Sequence, residues 1–176
     1  TDVAARGNFC TLDGAGDISD RRAGRVATET SSKLVERLRQ ISVPGVEVFV
    51  EPVREHRFVL VLRGEGLGDA VTTTDPQREG SPPLAAKGAN ASSQRTAQVV
   101  NEFVQQAHEL LKDQPQANGL VLRGFANYPD LPQFPETWGL RAAALAVYPM
   151  YRGLAKLAGM TAIACPGGMT EQIHLI

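Results

Sequence analysis

A short segment near the start of the chain concentrates positive charge. Asp20 to Arg25 reads DRRAGR, so Arg21, Arg22 and Arg25 lie close together around Gly24. An arginine side chain is planar and permanently charged, and its parallel N–H donors match the paired oxygens of a carboxylate or a phosphate. A neighbouring glycine lets the backbone approach an anion closely and donate its own N–H groups. The segment therefore predicts an anion-binding site.

Other arginines stand at the ends of predicted strands or near glycine. They are Arg57, which follows His56, Arg63 before Gly64, Arg123 before Gly124, and Arg141 shortly after Gly139. The alternative interpretation is that all these arginines are scattered surface charges, paired with acidic neighbours such as Asp17, Asp20 and Glu29. Because densely packed like charges repel one another unless a partner compensates them, the alternative is weakest for the DRRAGR segment.

The sequence lacks the common catalytic motifs, including GxSxG, HExxH and the glycine-rich nucleotide loops. No Asp/His cluster has metal-ligand spacing, so we expect no catalytic residue and no metal site within the chain. His108 follows the spacing of a predicted helix, and we expect it to be a solvated surface residue. Cys10 and Cys165 are not spaced as CxxC, and we interpret them as small buried apolar residues in a reducing compartment.

Composition indicates an ordinary globular protein. The chain has 176 residues, 43% of them hydrophobic, and a net charge of −1. Near-neutral charge gives no general attraction to nucleic acid or membranes, and no apolar run reaches the roughly 18 residues of a membrane span. We expect a cytoplasmic protein with neither kind of partner. Because the chain starts at Thr1 rather than Met, we also expect a piece of something longer.

Residue patterns in the first half predict strands around one helix. We expect strands at Ala5–Leu12, Val46–Glu51 and His56–Gly64, the last two forming an antiparallel hairpin. Apolar residues at helical spacing predict a helix over about Thr28–Gln40, capped by Thr28 or Thr30. The segment from Gly64 to Ser93 is rich in Gly, Pro and Thr, and we interpret it as a functional loop, with a floppy insertion as the alternative.

The second half mixes helices and strands. The predicted elements are a helix over Gln94–Lys112 capped by Ser92 or Ser93, a strand at Gly119–Phe125, an irregular loop at Asn127–Gly139, a helix near Tyr148–Leu157 followed by Gly159 as its C-terminal cap, a strand at Thr161–Cys165 and a turn at Pro166–Gly168. Together the patterns favour an α/β or α+β fold, with helices packed on a mixed sheet that contains an antiparallel hairpin.

Five collinear segments carry a family resemblance. They are ARGNFCTLDGAGDISDRRAGR, HRFVLVLRG, TDPQREGSPP, ANGLVLRGFANYPDLPQFPETWGLRAAALA and YRGLAKLAGM. These segments resemble the archaeal-type, cofactor-independent phosphoglycerate mutases of the alkaline phosphatase superfamily. In particular, the chain is similar to the domain that interrupts the catalytic domain of those enzymes. One departure is Arg141, which stands where the family usually has Lys.

The resemblance implies a division of labour. Residues 1–165 would form the inserted substrate-binding domain, and residues 166–176 would begin the return to the catalytic domain. The hydroxyl nucleophile and two divalent metal ions (manganese, magnesium or zinc) would belong to that catalytic domain, which this chain lacks. The full enzyme would interconvert 3- and 2-phosphoglycerate in glycolysis and gluconeogenesis by a phosphoenzyme route, and the fragment alone would be inactive.

The resemblance also implies which residues bind phosphoglycerate. We expect Arg21, Arg22 and Arg25 to form the main clamp for its carboxylate and phosphate. The other expected substrate-binding residues are His56, Arg57, Asp75, Arg123 and Arg141, with Asp75 orienting an arginine or a substrate hydroxyl. Two alternatives remain open at this stage: a related phosphotransferase (homoserine kinase-like or phosphonopyruvate decarboxylase-like), and a stand-alone anion-binding module.

Overall fold

The chain divides into two compact units. The structure, a computed structural model, describes residues 1–165, so the turn predicted at Pro166–Gly168 and the return predicted at 166–176 lie outside the described residues. The first unit is Thr1–Tyr128 and the second begins at Pro129. None of the described helices is long and apolar enough to cross a membrane.

The first unit is built on a five-stranded antiparallel sheet. Its strands are β1 (Asp2–Leu12), β2 (Ile18–Asp20), β3 (Glu47–Pro52), β4 (Arg57–Arg63) and β5 (Gly119–Ala126). β1 pairs with β4 and β5 along most of its length, β3 pairs with β4, and β2 pairs with the end of β1. The hairpin predicted for β3 and β4 is confirmed.

Side-chain alternation separates the two faces of this sheet. Val3, Ala5 and Phe9 of β1 are buried in or beside the core, and Phe9 packs against Phe58 of β4 with ring centroids 4.9 Å apart. Gly7 stands opposite Phe58 in the β1–β4 register, and a Cβ at this position would be only 2.1 Å from the Phe58 ring. Glycine is therefore required here because the ring crosses directly over the backbone.

Two helices cover the core face of the sheet. They are α1 (Thr28–Leu38) and α2 (Ala91–Leu111), whose apolar sides share one hydrophobic core with the strands. Both predicted caps are wrong. α1 follows Ala27 without a side-chain cap, and the hydroxyl of Thr28, its first helical residue, accepts a hydrogen bond from Glu55 N. At α2 the Asn90 side chain accepts from Ser93 N, so asparagine provides the cap.

His108 of α2 differs from its predicted surface position. It is half-buried and lies close to the backbone of Leu120 in β5, and its Nε2 has no hydrogen-bond partner among the described residues. Burial lowers the pKa of this histidine, although the Leu120 contact and the Glu109 charge oppose the shift. The surface position predicted for His108 was wrong because α2 lies against β5 along the side that carries this residue.

The segment from Gly64 to Asn90 has no helix or strand but is anchored to the sheet. Thr74 is buried; its N–H donates to Leu122 O at 2.9 Å, and its hydroxyl accepts from Leu122 N at 2.7 Å. Further along, Ile18 N donates to Ser81 O and Gly80 N donates to Ile18 O. These bonds satisfy backbone groups at the edges of β5 and β2, so the segment is not a floppy insertion.

The second unit is small and has a different strand arrangement. It contains α3 (Phe134–Trp138), β6 (Ala143–Leu145), α4 (Pro149–Leu157) and β7 (Thr161–Ile163), and β6 pairs with β7 in parallel. The sequence patterns missed β6, and they assigned α3 to an irregular loop. Gly159 follows α4 with a φ of 76°, as predicted for its C-terminal cap. The α+β class is thus confirmed, with parallel pairing in this unit alone among residues 1–165.

Candidate anion-binding site

Asp75 brings two of the predicted arginines together. Its Oδ2 lies 2.9 Å from a terminal guanidinium nitrogen of Arg21 and 3.6 Å from one of Arg123. The Asp75 side chain is 1% exposed, whereas those of Arg21 and Arg123 are 33% and 32% exposed. Asp75 Oδ1 accepts a hydrogen bond from Gln77 N, which fixes the carboxylate. The buried carboxylate thus holds two guanidinium groups at the surface of the first unit.

A β-bulge follows Arg123 directly. Between the pairs Ala4–Ala126 and Arg6–Arg123 the register shifts, because β5 carries one residue more than β1. Gly124 has a φ of 66° within this stretch, a conformation that glycine adopts without strain. Because the register is regular from Gly119 to Arg123, strand alternation places Arg123 on the outer face, defined as the sheet face opposite α1 and α2, and the bulge ends the regular pairing directly after it.

The DRRAGR segment forms a left-handed turn. Ala23, Gly24 and Arg25 have φ values of 48°, 63° and 52°. Because this conformation disfavours side chains, something must stabilise it, and Asp20 does so. Its two carboxylate oxygens accept hydrogen bonds from Arg22 N at 2.7 Å and Gly24 N at 2.6 Å.

This use of Asp20 bears on the surface-charge interpretation. That interpretation expects the arginines to pair with Asp17, Asp20 and Glu29, but Asp20 binds backbone N–H groups instead. Within residues 1–165, the side chains of Arg22 and Arg25 are exposed and form no ion pair. The turn therefore exposes the guanidinium groups of Arg22 and Arg25 to solvent, whereas Ala23 between them is buried.

His56 lies buried beside the arginines and is uncharged at neutral pH. It is 2% exposed, and its Nδ1 has no hydrogen-bond partner among the described residues. Burial lowers the pKa of His56 to about 4, and the charges of Arg57, Arg22 and Arg6 act in the same direction. A neutral imidazole can donate or accept a hydrogen bond, but it adds no positive charge.

Arg57 is placed near His56 but is already paired. One of its terminal nitrogens lies 3.0 Å from Glu55 Oε2. Arg57 stands opposite Asn8 in the β1–β4 register, so both side chains lie on the outer face. Arg141 differs from all the other predicted residues because it belongs to the second unit, where it is exposed.

Two residues outside the predicted set lie in the same cluster. Arg6 stands directly opposite Arg123 in the β1–β5 register, and its Nε donates to Asn8 Oδ1 at 3.3 Å. Asn8 is only 7% exposed. The signal that could have found them is the alternation of β1, because residues 6 and 8 must share one face of the strand.

The remaining candidate group, Cys10, cannot act as a thiolate. Burial and the charges of Asp75 and Asp20 raise its pKa to about 12, so the thiol keeps its proton at neutral pH. Among residues 1–165, no three His, Cys, Asp or Glu side chains are grouped in a way that could hold a metal ion. The described residues therefore offer hydrogen-bond donors and fixed positive charge, which suit the binding of an oxyanion.

The family model and the curated relatives that this chain matches carry the same description. Residues 1–117 match the family model described as 2,3-bisphosphoglycerate-independent phosphoglycerate mutase. A probable enzyme of that description from Thermotoga neapolitana is 49% identical over 177 aligned positions, covering 99% of this chain and 44% of the relative. One from Thermus thermophilus is 49% identical over 168 positions, covering 94% and 41%. The chain therefore spans less than half the length of the curated relatives it matches.

A solved structure shows the same fold. The cofactor-independent phosphoglycerate mutase from Thermoplasma acidophilum superposes with a TM-score of 0.71 at 31% sequence identity. The superposition covers 94% of this chain and 48% of that enzyme.

Proposed function

Because the chain belongs to the 2,3-bisphosphoglycerate-independent phosphoglycerate mutase family, we propose that it is the substrate-binding part of an enzyme that interconverts 3- and 2-phosphoglycerate. The observation that carries this proposal is the buried Asp75, which holds Arg21 and Arg123 beside the arginine-bearing turn. A fixed group of guanidiniums with one shared carboxylate retains net positive charge. It suits a ligand that carries both a carboxylate and a phosphate.

The proposed task of this site is to retain glycerate. In a phosphoenzyme route, the phosphoryl group moves to the enzyme and the remaining glycerate must reorient before it is phosphorylated again. If glycerate left, water could hydrolyse the phosphoenzyme and the reaction would become that of a phosphatase. Arg21, Arg22, Arg25 and Arg123 would hold the oxyanions, while neutral His56 would serve a substrate hydroxyl.

The chemistry of phosphoryl transfer would lie outside this chain. The described residues do not fit a metal ion, so the divalent metals expected for the family would be bound by the rest of a longer protein. The same applies to the hydroxyl nucleophile. We propose no role for Arg57 beyond its pairing with Glu55 near the site, and Arg141 belongs to the second unit.

The boundary of the inserted domain is part of this proposal. The predicted limit at residue 165 includes the second unit, which has parallel strands and only one buried residue, Ala155, between Pro129 and Cys165. The antiparallel unit ends at Tyr128 and contains the whole hydrophobic core formed by the sheet and its two helices. We therefore propose Tyr128 as the end of the inserted substrate-binding domain.

The proposal is tested by mutase activity of the full-length protein that contains this chain. Arg22→Ala removes an exposed fork from the turn, and we expect kcat/KM for 3-phosphoglycerate to fall roughly 10- to 100-fold, the loss typical of a charged hydrogen bond. Arg63→Ala is the matched control, because Arg63 pairs with Asp2 at the far end of β4. Equal activity of the two variants, or turnover by the isolated chain, would contradict the proposal.

A further inference from the structure

We infer that Thr28 is a positioning residue, whose hydroxyl holds the hairpin turn that carries His56 against the start of α1. The hydroxyl accepts a hydrogen bond from Glu55 N at 3.1 Å, across 27 residues of chain. The inference rests on the proposed function, in which His56 serves a substrate hydroxyl. It adds to that function a residue that acts through His56 and that the sequence patterns had assigned only to a helix cap.

The turn that carries His56 has an unusual residue at its first central position. A hydrogen bond from Arg57 N to Arg54 O, 3.1 Å long, closes this turn between β3 and β4. Its two central residues are therefore Glu55 and His56. Turns with a positive φ at the first central position mostly have glycine, asparagine or aspartate there. Glu55 occupies it instead, with a φ of 52°, a conformation that persists in such a residue only where the surroundings hold it.

Three contacts hold the two central residues of this turn. The backbone N–H of Glu55 is not the donor that closes the turn, and the Thr28 hydroxyl accepts it. The Glu55 carboxylate pairs with Arg57 at 3.0 Å. On the other side, His56 O accepts a hydrogen bond from Phe9 N of β1 at 2.8 Å. The bond to Thr28 therefore restrains the backbone from outside the sheet, at the residue whose conformation is unfavourable.

Thr28 also lies beside the arginine-bearing turn. It begins α1 three residues after Arg25, the last residue of that turn. Besides burial, four charged groups act on the pKa of His56; they are Arg57, Glu55, Arg22 and Arg6. Since Arg22 belongs to the arginine-bearing turn, this turn lies close to His56. The Thr28 hydroxyl thus connects the segment that carries the exposed arginines with the segment that carries the buried imidazole.

Similar contacts hold the other strained turns of the site. Within residues 1–165, the other residues besides glycine with a positive φ are Ala23, Arg25 and Gln77. Gln77 N donates to Asp75 Oδ1 at 2.8 Å, and Asp20 accepts from N–H groups of the turn that contains the other two. Each strained turn is thus held by a side-chain oxygen beside a proposed ligand-binding residue. Because backbone strain of this kind concentrates at functional sites, the hydroxyl that holds the turn of His56 belongs to the same framework.

The test is the titration midpoint of the His56 ring, measured by NMR on the 176-residue chain, which has three histidines. Thr28→Val keeps the shape of the side chain and removes its hydroxyl. We expect the midpoint to rise from about 4 by about one pH unit or more, because a displaced turn lets water reach the ring. Thr28→Ser keeps the hydroxyl and should retain the low midpoint. Thr30→Val, the same change at an exposed position of the same helix, is the matched control.

A second substitution separates positioning from packing. Glycine adopts a positive φ without strain, so Glu55→Gly should keep the turn in place without help from Thr28. In the Glu55→Gly background, Thr28→Val should therefore move the His56 midpoint much less than in the wild-type background. Equal shifts in the two backgrounds, no shift in Thr28→Val, or an equal shift in Thr30→Val overturn the inference. If Thr28→Val unfolds the chain, folding restored by Glu55→Gly supports the inference, and unfolding in both backgrounds overturns it.

Mutase kinetics of the full-length protein distinguish this inference from the proposed function. If His56 serves a substrate hydroxyl, Thr28→Val should lower kcat/KM for 3-phosphoglycerate about tenfold, the loss expected for one misplaced hydrogen bond, and Thr28→Ser should restore it. A shifted His56 midpoint with unchanged kcat/KM supports the positioning by Thr28 and refutes the task proposed for His56. A wild type without mutase activity refutes the proposed function, and the NMR comparison still decides the role of Thr28.

Discussion

At the scale of single residues, the positions of two arginines depend on Asp75. Its carboxylate is buried, accepts from Gln77 N and faces both Arg21 and Arg123. A buried carboxylate is costly unless cations and hydrogen bonds compensate it, and here both are present. Asp75 therefore contributes to stability and to the geometry of the site at once.

Replacing Asp75 should reveal both contributions. Asp75→Ala leaves two neighbouring guanidiniums without their carboxylate, and we expect a loss of about 1–3 kcal/mol in the free energy of unfolding, because the arginines are partly exposed. Asp75→Asn keeps an acceptor for Gln77 N and should lose less. Urea denaturation provides the measurement, with Asp113→Ala, at an exposed ion pair, as the control. A change at Asp75 no larger than that at Asp113 would contradict this role.

His56 makes stability depend on pH in a defined direction. Its pKa is about 4 in the folded chain and near its ordinary value of about 6.5 when unfolded. Between these pH values the unfolded chain binds more protons than the folded chain does. The free energy of unfolding therefore rises with pH. We therefore expect the stabilisation to be complete above pH 6.5 and to be lost as pH falls toward about 4.

Two histidine variants separate this effect from others. His56→Gln should flatten the dependence of unfolding free energy on pH below about 6.5. His108, whose pKa is also lowered by burial, contributes in the same direction, so His108→Gln must be compared. NMR titration of the His56 ring gives its pKa directly. A titration midpoint for His56 near its ordinary value would refute the explanation.

At the scale of elements, the site is assembled by irregularities in otherwise regular strands and turns. The bulge at Gly124 borders Arg123, and the left-handed turn at Ala23–Arg25 presents Arg22 and Arg25. Both depend on positive φ values, which are unfavourable for residues other than glycine. Local backbone conformation, rather than helix or strand content, therefore determines where the charged groups lie.

A single methyl group added at Gly124 tests the role of the bulge. Gly124→Ala should cost about 1–2 kcal/mol, because an alanine is placed at a positive φ. A Cβ there has nothing within 4 Å, so steric collision adds no cost. We also expect weaker binding of 3-phosphoglycerate, since Arg123 directly precedes Gly124 and a changed backbone there would displace it. Gly14→Ala, equally open and without a positive φ, should change stability by less than about 0.5 kcal/mol. Unchanged stability and binding in Gly124→Ala would show that the bulge does not position Arg123.

Sequence reasoning predicted the long elements and missed the local ones. The β3–β4 hairpin and α2 have clear alternating or helical patterns, and both are confirmed. The three-residue β6 and the five-residue α3 are too short to give a period. The Asn90 cap was missed because Ser92 and Ser93 are equally good cap residues by type.

The site was predicted in part for similar reasons. The DRRAGR cluster and the Arg-Gly pair at residues 123–124 carry a local signal, so they could be singled out. For Arg6 and Asn8 the alternation of β1 indicates only a shared face, and it is the strand register that sets them opposite Arg123 and Arg57. The shared contact of Asp75 with Arg21 and Arg123 joins distant parts of the chain, which no spacing rule reveals.

At the scale of the whole molecule, the two units differ in how much surface they bury. Among residues 1–165, every residue of the main hydrophobic core belongs to the first unit. In the second unit, large apolar side chains such as Trp138, Leu140 and Met150 are exposed. Since burial of apolar surface is the main favourable term in folding, the first unit has the means to fold by itself.

A truncated chain tests this difference. We expect residues 1–128 to unfold cooperatively in urea and to retain the anion binding of the 176-residue chain, because the core and all predicted site residues except Arg141 remain. Dispersed NMR amide signals and a single unfolding transition are the measurements. A truncated chain that is unfolded, or folded without anion binding, would show that the second unit is needed for the site.

The anchored segment between Gly64 and Asn90 also has a consequence for motion. Loops without helix or strand usually exchange their amide hydrogens with solvent quickly, because their N–H groups lack stable partners. Here the N–H groups of Thr74 and Leu84 are hydrogen-bonded, to Leu122 O and Thr74 O, and Thr74 is buried. Hydrogen exchange at these positions would then be as slow as in the strands. Asp75, which directly follows Thr74, would stay in place on that same slow timescale.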